Sequence, residues 1–254
     1  MDGGTHPRDI AFLAFTRKAA NEAKERAAKR FNLNPDEDLR HFRTIHSFAL
    51  SQVRIRSEDV MQAANYRELG EVLGHRFEMA SGGVSAGDTF DNKVNDPVLS
   101  LINLARLKKT ALRDEYNDSN LYLDWNLVKY IDEGLNAYKE KFGMYDFTDM
   151  LAQFVAQADV CCPAFQLTFL DEAQDLSPLQ WDIAHILDSQ SKRMYCAGDD
   201  DQAIYRWAGA DVDHFINLPG GAETLSQSYR VPSSVHEVAE RIVSRINRRY
   251  PKTY

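Results

Sequence analysis

Six residues, Phe165-Gln166-Leu167-Thr168-Phe169-Leu170, form an apolar run that is followed at once by Asp171-Glu172. A run of that length, closed by charge, reads as a buried strand with two acids at its carboxyl end. Similar runs occur at Ile10-Ala11-Phe12-Leu13-Ala14-Phe15 and Arg193-Met194-Tyr195-Cys196-Ala197. The first leads into a helical stretch that Thr16 caps and Ala19, Ala20, Ala23, Ala27 and Ala28 favour. A second helix is predicted from Pro178 to Leu187. Buried strands alternating with helices predict an α/β fold, with a mainly parallel sheet covered on both faces.

The rest of the chain is placed around that pattern. Asn34-Pro35-Asp36 ends the first strand-helix unit. His41-Phe42-Arg43-Thr44-Ile45-His46 reads as a strand, followed by an amphipathic helix through Val53. From about Glu58 to Lys141 the pattern is polar and helical, which predicts an inserted subdomain at about 51–143. A further strand is expected at Glu223 to Gln227, and Val231-Pro232-Ser233-Ser234 opens a final helix to about Arg249.

No apolar run approaches the ~18 residues of a membrane span, so a soluble chain is expected. Cys161, Cys162 and Cys196 lack metal spacing and suggest a reducing compartment, the cytoplasm or nucleoid. The adjacent pair Cys161-Cys162 is read as core packing. The net charge of −8 argues against a nucleic-acid partner only until the positions of the charges are considered.

The chemistry concentrates after two strands. Of Asp171 and Glu172, one carboxylate can hold Mg²⁺ through water while its neighbour orients an attacking water. An acidic helix start would look the same. After the next strand comes Gly198-Asp199-Asp200-Asp201-Gln202-Ala203-Ile204-Tyr205-Arg206-Trp207. Gln202 can sense a terminal phosphate without adding charge. Tyr205 and Trp207 either stack on unpaired bases or pack in the core.

These segments resemble a family. Phe169-Leu170-Asp171-Glu172-Ala173-Gln174-Asp175 resembles the Walker B motif of UvrD/Rep/PcrA-like superfamily 1 DNA helicases. Gly198 through Asp211 resembles their motif III. Ala14-Phe15-Thr16-Arg17-Lys18-Ala19-Ala20 is similar to motif Ia, and Thr44-Ile45-His46-Ser47-Phe48 to motif Ic. Tyr145-Asp146-Phe147-Thr148-Asp149-Met150 resembles the re-entry into the first RecA-like domain, and Gln227-Ser228-Tyr229-Arg230-Val231-Pro232 resembles motif IV.

The resemblance implies two parts of a RecA-like domain at 1–50 and 144–220, a helical insertion at 51–143, and the start of a second RecA-like domain at 221–254. It implies ATP and Mg²⁺ as cofactors and 3′-to-5′ translocation on single-stranded DNA with unwinding at single/double-strand junctions. Replication or repair proteins are the implied partners. Asp171 would hold the metal, Glu172 activate water, Gln202 couple the γ-phosphate to DNA, Arg230 act as arginine finger and Tyr229 stack on adenine. Phe15, Thr16, His46, Tyr205 and Trp207 would line the DNA path. Arg17, Lys18, Lys24, Arg26, Lys29 and Arg30 form a basic stripe, as do Arg241, Arg245, Arg248 and Arg249, and about half of these are expected to see DNA.

Departures shape the expectation. Ala208 stands where many relatives carry Arg. The sequence holds no GxxxxGK[ST] loop, and only fourteen residues precede Phe15. Gly82-Gly83-Val84-Ser85-Ala86-Gly87-Asp88-Thr89 has the glycine spacing of such a loop but puts Asp88 at the Lys position. His236-Glu237-Val238-Ala239-Glu240 lacks the second His of a zinc motif. The chain therefore reads as the middle of a helicase, expected not to hydrolyse ATP alone. The alternatives are a non-catalytic DNA-binding or protein-interaction module, or a fragment with no independent role.

Overall fold

A computed structural model describes residues 4–78, 96–225, 227, 229 and 231–252. The first apolar run is β1 (Ile10–Ala14). Thr16 then caps α1 (Arg17–Phe31), its Oγ1 accepting from the Ala19 N–H at 3.2 Å. Asn34 caps a short α2 (Pro35–Asp38), which leads to β2 (Phe42–Thr44). The strand predicted through His46 is cut short there. The Thr44 hydroxyl accepts from the Ser47 N–H and starts α3 (Ile45–Gln52), so His46 is helical.

Between α3 and the next strand stand α4 (Ala63–Leu73), α5 (Pro97–Lys108), α6 (Leu112–Asp118) and α7 (Trp125–Phe142). They gather around an apolar cluster of their own, with Leu69, Leu99, Ile102, Val128, Ile131 and Leu135 at its centre. At the base of this block two passing segments are tied together. The Met61 N–H donates to the Tyr145 carbonyl and the Tyr145 N–H to the Asp59 carbonyl, both at 2.8 Å.

A buried charge cluster sits beside that tie. Asp146 caps α8 (Phe147–Cys161) in a reciprocal capping box with Asp149. Lys139 and Arg106 each pair with both acids, Arg106 to Asp146 and Lys139 to Asp146 at 2.7 Å. Burial alone would raise the Asp146 carboxyl, but the two cations outweigh it and hold the group at about 2.

β3 (Leu167–Leu170), α9 (Pro178–Ser189), β4 (Met194–Cys196), α10 (Val212–Ile216) and α11 (Ser233–Val243) complete the chain. The four strands are parallel, in the order β2-β1-β3-β4, with Phe12 opposite Phe42 and Phe169, and Phe169 opposite Tyr195. Alternation along the strands sends Ile10, Phe12, Phe42, Leu167 and Phe169 to the α1 face. Ala11, Leu13 and Leu170 face the larger cluster, where Phe48, Phe154 and Trp181 of α3, α8 and α9 are buried. Helices thus cover both faces, as the α/β reading expects. Cys161 and Cys162 pack against the larger cluster as free thiols.

Two further expectations are corrected. The described residues 223–225 and 227 form no strand, and Leu225 is 85% exposed. The last helix stops at Val243 because the chain then turns back onto the loop after β4, as described below. The Gly82–Thr89 segment lies outside the described residues. Among those residues no helix is long and apolar enough to cross a membrane.

Candidate functional site

β1 and β3 are neighbours in the sheet, with β2 on one side and β4 on the other. Strand order therefore reverses between β1 and β3, and the crevice beyond their carboxyl ends is where open α/β sheets bind ligands. The Asp171 N–H donates to the Leu13 carbonyl at 2.8 Å, and the Ala173 N–H to the Ala197 carbonyl at 2.9 Å. Those bonds set Asp171 and Glu172 in the crevice. Burial and the Glu172 charge raise the half-buried Asp171 carboxyl above its usual range. Glu172 is exposed, with φ +55° and ψ 43°. A left-handed backbone on a non-glycine residue costs on the order of 1–3 kcal/mol and turns the carboxylate outward at the end of the strand.

Beneath the acid pair lies Gln174, 1% exposed. Its Nε2 donates to Glu172 Oε2 at 2.9 Å and Asp175 Oδ2 at 3.1 Å, and its Oε1 accepts from the Asp199 N–H at 3.0 Å. Gly198 leaves room for this side chain: a Cβ there would stand 2.6 Å from Gln174 Oε1. Asp175 is buried and its Oδ1 has no hydrogen-bond partner. Burial, reinforced by the Glu172 charge, pushes its carboxyl up to about 6. No cation pairs with Asp171, Glu172 or Asp175 in the described ion pairs. Unmatched carboxylate oxygens of this kind suit a hard divalent cation such as Mg²⁺, so the residues fit the metal that the resemblance implies.

The loop after β4 is built differently. Lys252 pairs with Asp199, with Asp200 at 2.5 Å and with Asp201 at 3.0 Å. Arg249 reaches Asp201 at 2.6 Å, and the Tyr250 N–H donates to Asp200 at 2.6 Å. Burial pushes the Asp199 carboxyl up, but Lys252 and Gln202 outweigh it and hold the group below the usual range. Gln202 is exposed, its Nε2 donating to Asp199 Oδ2 at 2.6 Å. These three acids are the densest set of metal-capable oxygens among the described residues, yet protein cations already neutralise them.

Beside the acids runs an aromatic row. Phe15 lies 5.8 Å from Tyr205, and Tyr205 lies 6.3 Å from Trp207, between ring centroids. Trp207 is 71% exposed, which replaces the core-packing alternative with a surface placement. Thr16 is exposed beside Phe15, its hydroxyl engaged in the α1 cap. His46 does not join them. It is buried against Phe147, and burial lowers its imidazole to about 4, so it is neutral at pH 7. Tyr229 is exposed and stands apart, and Arg230 lies outside the described residues.

The basic stripes divide. Lys18, Lys29 and Arg30 of α1 are exposed, whereas Lys24 pairs with Asp36 and Arg26 with Glu22. Near the C-terminus Arg248 pairs with Asp213 and Arg249 with Asp201 and Glu240, while Arg241 and Arg245 are exposed.

Reading from sequence assigned no individual role to Gln174, Asp175, Gly198 or Lys252, and it placed Arg249 in a basic stripe rather than on Asp201. For Gln174 a signal existed: an amide two residues beyond an acid pair at a strand end. For Lys252, some fifty residues from its partners, none did.

The parallel sheet, the acids at its reversal point and the helices on both faces place the chain in the class of RecA-like α/β domains. Residues 1–220 match the UvrD/REP helicase N-terminal domain, and the chain belongs to that family. It is 27% identical to the ATP-dependent DNA helicase PcrA of Leuconostoc citreum, over 99% of this chain and 35% of that protein. It is 26% identical to a probable DNA helicase of Mycoplasma pneumoniae, over 98% of this chain and 49% of the relative. A probable DNA helicase II homolog of Rickettsia conorii is 28% identical over 97% of this chain and 39% of its own length. The chain thus spans a third to a half of the curated relatives it matches.

Proposed function

We propose that this chain carries the acidic half of a nucleotide site and the DNA-facing edge of an ATP-driven translocase, acting 3′-to-5′ on single-stranded DNA and at junctions in the cytoplasm or nucleoid. The observation that carries the reading is the adjacency, on one sheet edge, of an acid pair that no cation matches among the described residues and an exposed aromatic row. Asp171 holds Mg²⁺ and Glu172 polarises water. Gln202 answers to the terminal phosphate, and Arg230 and Tyr229 act from a second domain begun at 221. Bound ATP and Mg²⁺ supply the phosphoryl group and its counter-charge. Phe15, Tyr205 and Trp207 offer flat faces to bases, and Thr16 sits at their rim. His46, neutral and buried against Phe147, is the least exposed residue of the proposed DNA path. The separate apolar cluster of the helical block and its tied base support the assignment of 51–143 as an insertion in the domain formed by 1–50 and 144–220.

With no GxxxxGK[ST] loop in the sequence, the 254 residues alone leave the nucleotide's β- and γ-phosphates unheld, and they do not turn ATP over. Fluorescence anisotropy with labelled oligothymidylate tests the DNA edge: Trp207→Ala weakens binding by about 1–3 kcal/mol, and affinity falls steeply with salt. Wild-type affinity in that variant would refute the aromatic role. Phosphate release from the 254-residue chain with saturating oligothymidylate tests the nucleotide half. Turnover that Glu172→Gln abolishes would refute the expectation of inactivity.

A further inference from the structure

Four polar groups in two different loops form one unbroken line. Glu172 Oε2 accepts from Gln174 Nε2 at 2.9 Å, Gln174 Oε1 accepts from the Asp199 N–H at 3.0 Å, and Asp199 Oδ2 accepts from Gln202 Nε2 at 2.6 Å. The Ile204 N–H then donates to the Gln202 carbonyl at 2.8 Å, one residue before the aromatic row begins at Tyr205. An amide suits the middle position. It must donate toward carboxylates on one side and accept a backbone N–H on the other, from a site with 1% exposure. A Cβ on Gly198 would collide with that amide and with Phe215, so the glycine and the glutamine fit together.

We infer that Gln174 is a positioning residue that joins the acid pair after β3 to the DNA-facing loop after β4, so that the placement of Glu172 and of Trp207 is set together. This inference rests on the reading of Trp207 as a DNA contact. The groups facing the amide are Glu172 and Asp175 from its own loop and Asp199 from the loop after β4, with Asp171 beside Glu172.

The test is oligothymidylate affinity of the 254-residue chain by anisotropy, each variant expressed as a ratio to wild type at the same pH, with folding checked by circular dichroism. Gln174→Leu removes both sides of the link and is expected to weaken binding about tenfold at pH 5.5 and at pH 8. Gln174→Glu keeps the shape and the acceptor. While its carboxyl holds a proton it still donates to a neighbouring carboxylate; once ionised it repels Glu172 and Asp175. It should therefore match wild type at pH 5.5 and fall toward Gln174→Leu at pH 8. A Gln174→Glu variant equally weak at both values would reduce Gln174 to packing and overturn the inference. So would wild-type affinity in Gln174→Leu while Trp207→Ala binds weakly, which would sink the link and spare the DNA reading. Wild-type affinity in Trp207→Ala would remove the DNA reading and this inference with it.

Discussion

The two acidic loops at the carboxyl edge are alike in composition and opposite in electrostatics. One neutral amide ties Glu172 to Asp175, with Asp171 beside them, and the Asp171 and Asp175 carboxyls are raised. Asp199, Asp200 and Asp201 are gripped by Lys252 and Arg249, and Asp199 is lowered. Acidity by itself thus says little about chemistry. The loop whose charge no described cation matches has use for an external one, and such perturbed groups mark candidate sites. The matched acids of the second loop instead fasten the C-terminal segment to the sheet edge.

Removing the match should show the difference most strongly. Lys252→Met leaves three clustered acids with only Arg249. Stripping one partner from a buried ion pair costs about 3–5 kcal/mol, and the segment's freedom to swing into water limits the loss here to about 2–3 kcal/mol. Urea unfolding measures it, and hydrogen exchange should show 233–252 opening first. An unchanged midpoint would mean that the clamp contributes no stability.

Gly198→Ala attacks the bridge between the loops. Its Cβ would meet Gln174 Oε1 at 2.6 Å and Phe215 Cζ at 2.9 Å, an overpacking expected to cost about 2 kcal/mol. Thermal unfolding checks it, and a neutral result would show the two loops to be more loosely joined.

Asp175→Asn should do the reverse. With a folded-state value near 6, raised from 3.8, the folded protein binds this proton more tightly than the unfolded chain. Wild-type stability therefore falls as pH rises from about 4 to 6, and the penalty persists above. The Asn variant should gain about 1 kcal/mol at pH 7, allowing for water at the loop, and nothing near pH 4. A gain equal at both values would assign the effect to packing.

The smallest effect belongs to Glu172→Gly. It relieves a left-handed backbone while giving up one hydrogen bond from Gln174, for a net stabilisation of up to about 1 kcal/mol. Destabilisation would mean that the turn is held by the side chain.

Much of this molecule was legible in order along the chain. Short apolar runs marked β1, β3 and β4, and Thr16 marked the start of α1, because strand burial and helix capping are local in sequence. One boundary was missed although its cause is local: Thr44 caps a helix inside a predicted strand through a bond to the Ser47 N–H. Another was missed because a distant contact decided it: the last helix ends early as Arg249 and Lys252 reach Asp201 and Asp199.

The residue types of the site, two acids after one strand and acids, amide and aromatics after the next, were readable without coordinates because each strand carries its own loop to the same edge. The meaning of each charge was not. Whether a carboxylate is raised or held low depends on what surrounds it in space, and in this fold that is burial and the Glu172 charge for Asp175 and an ammonium about fifty residues away for Asp199. Coulomb interaction and burial follow distance in space, and only the folding of the chain sets those distances.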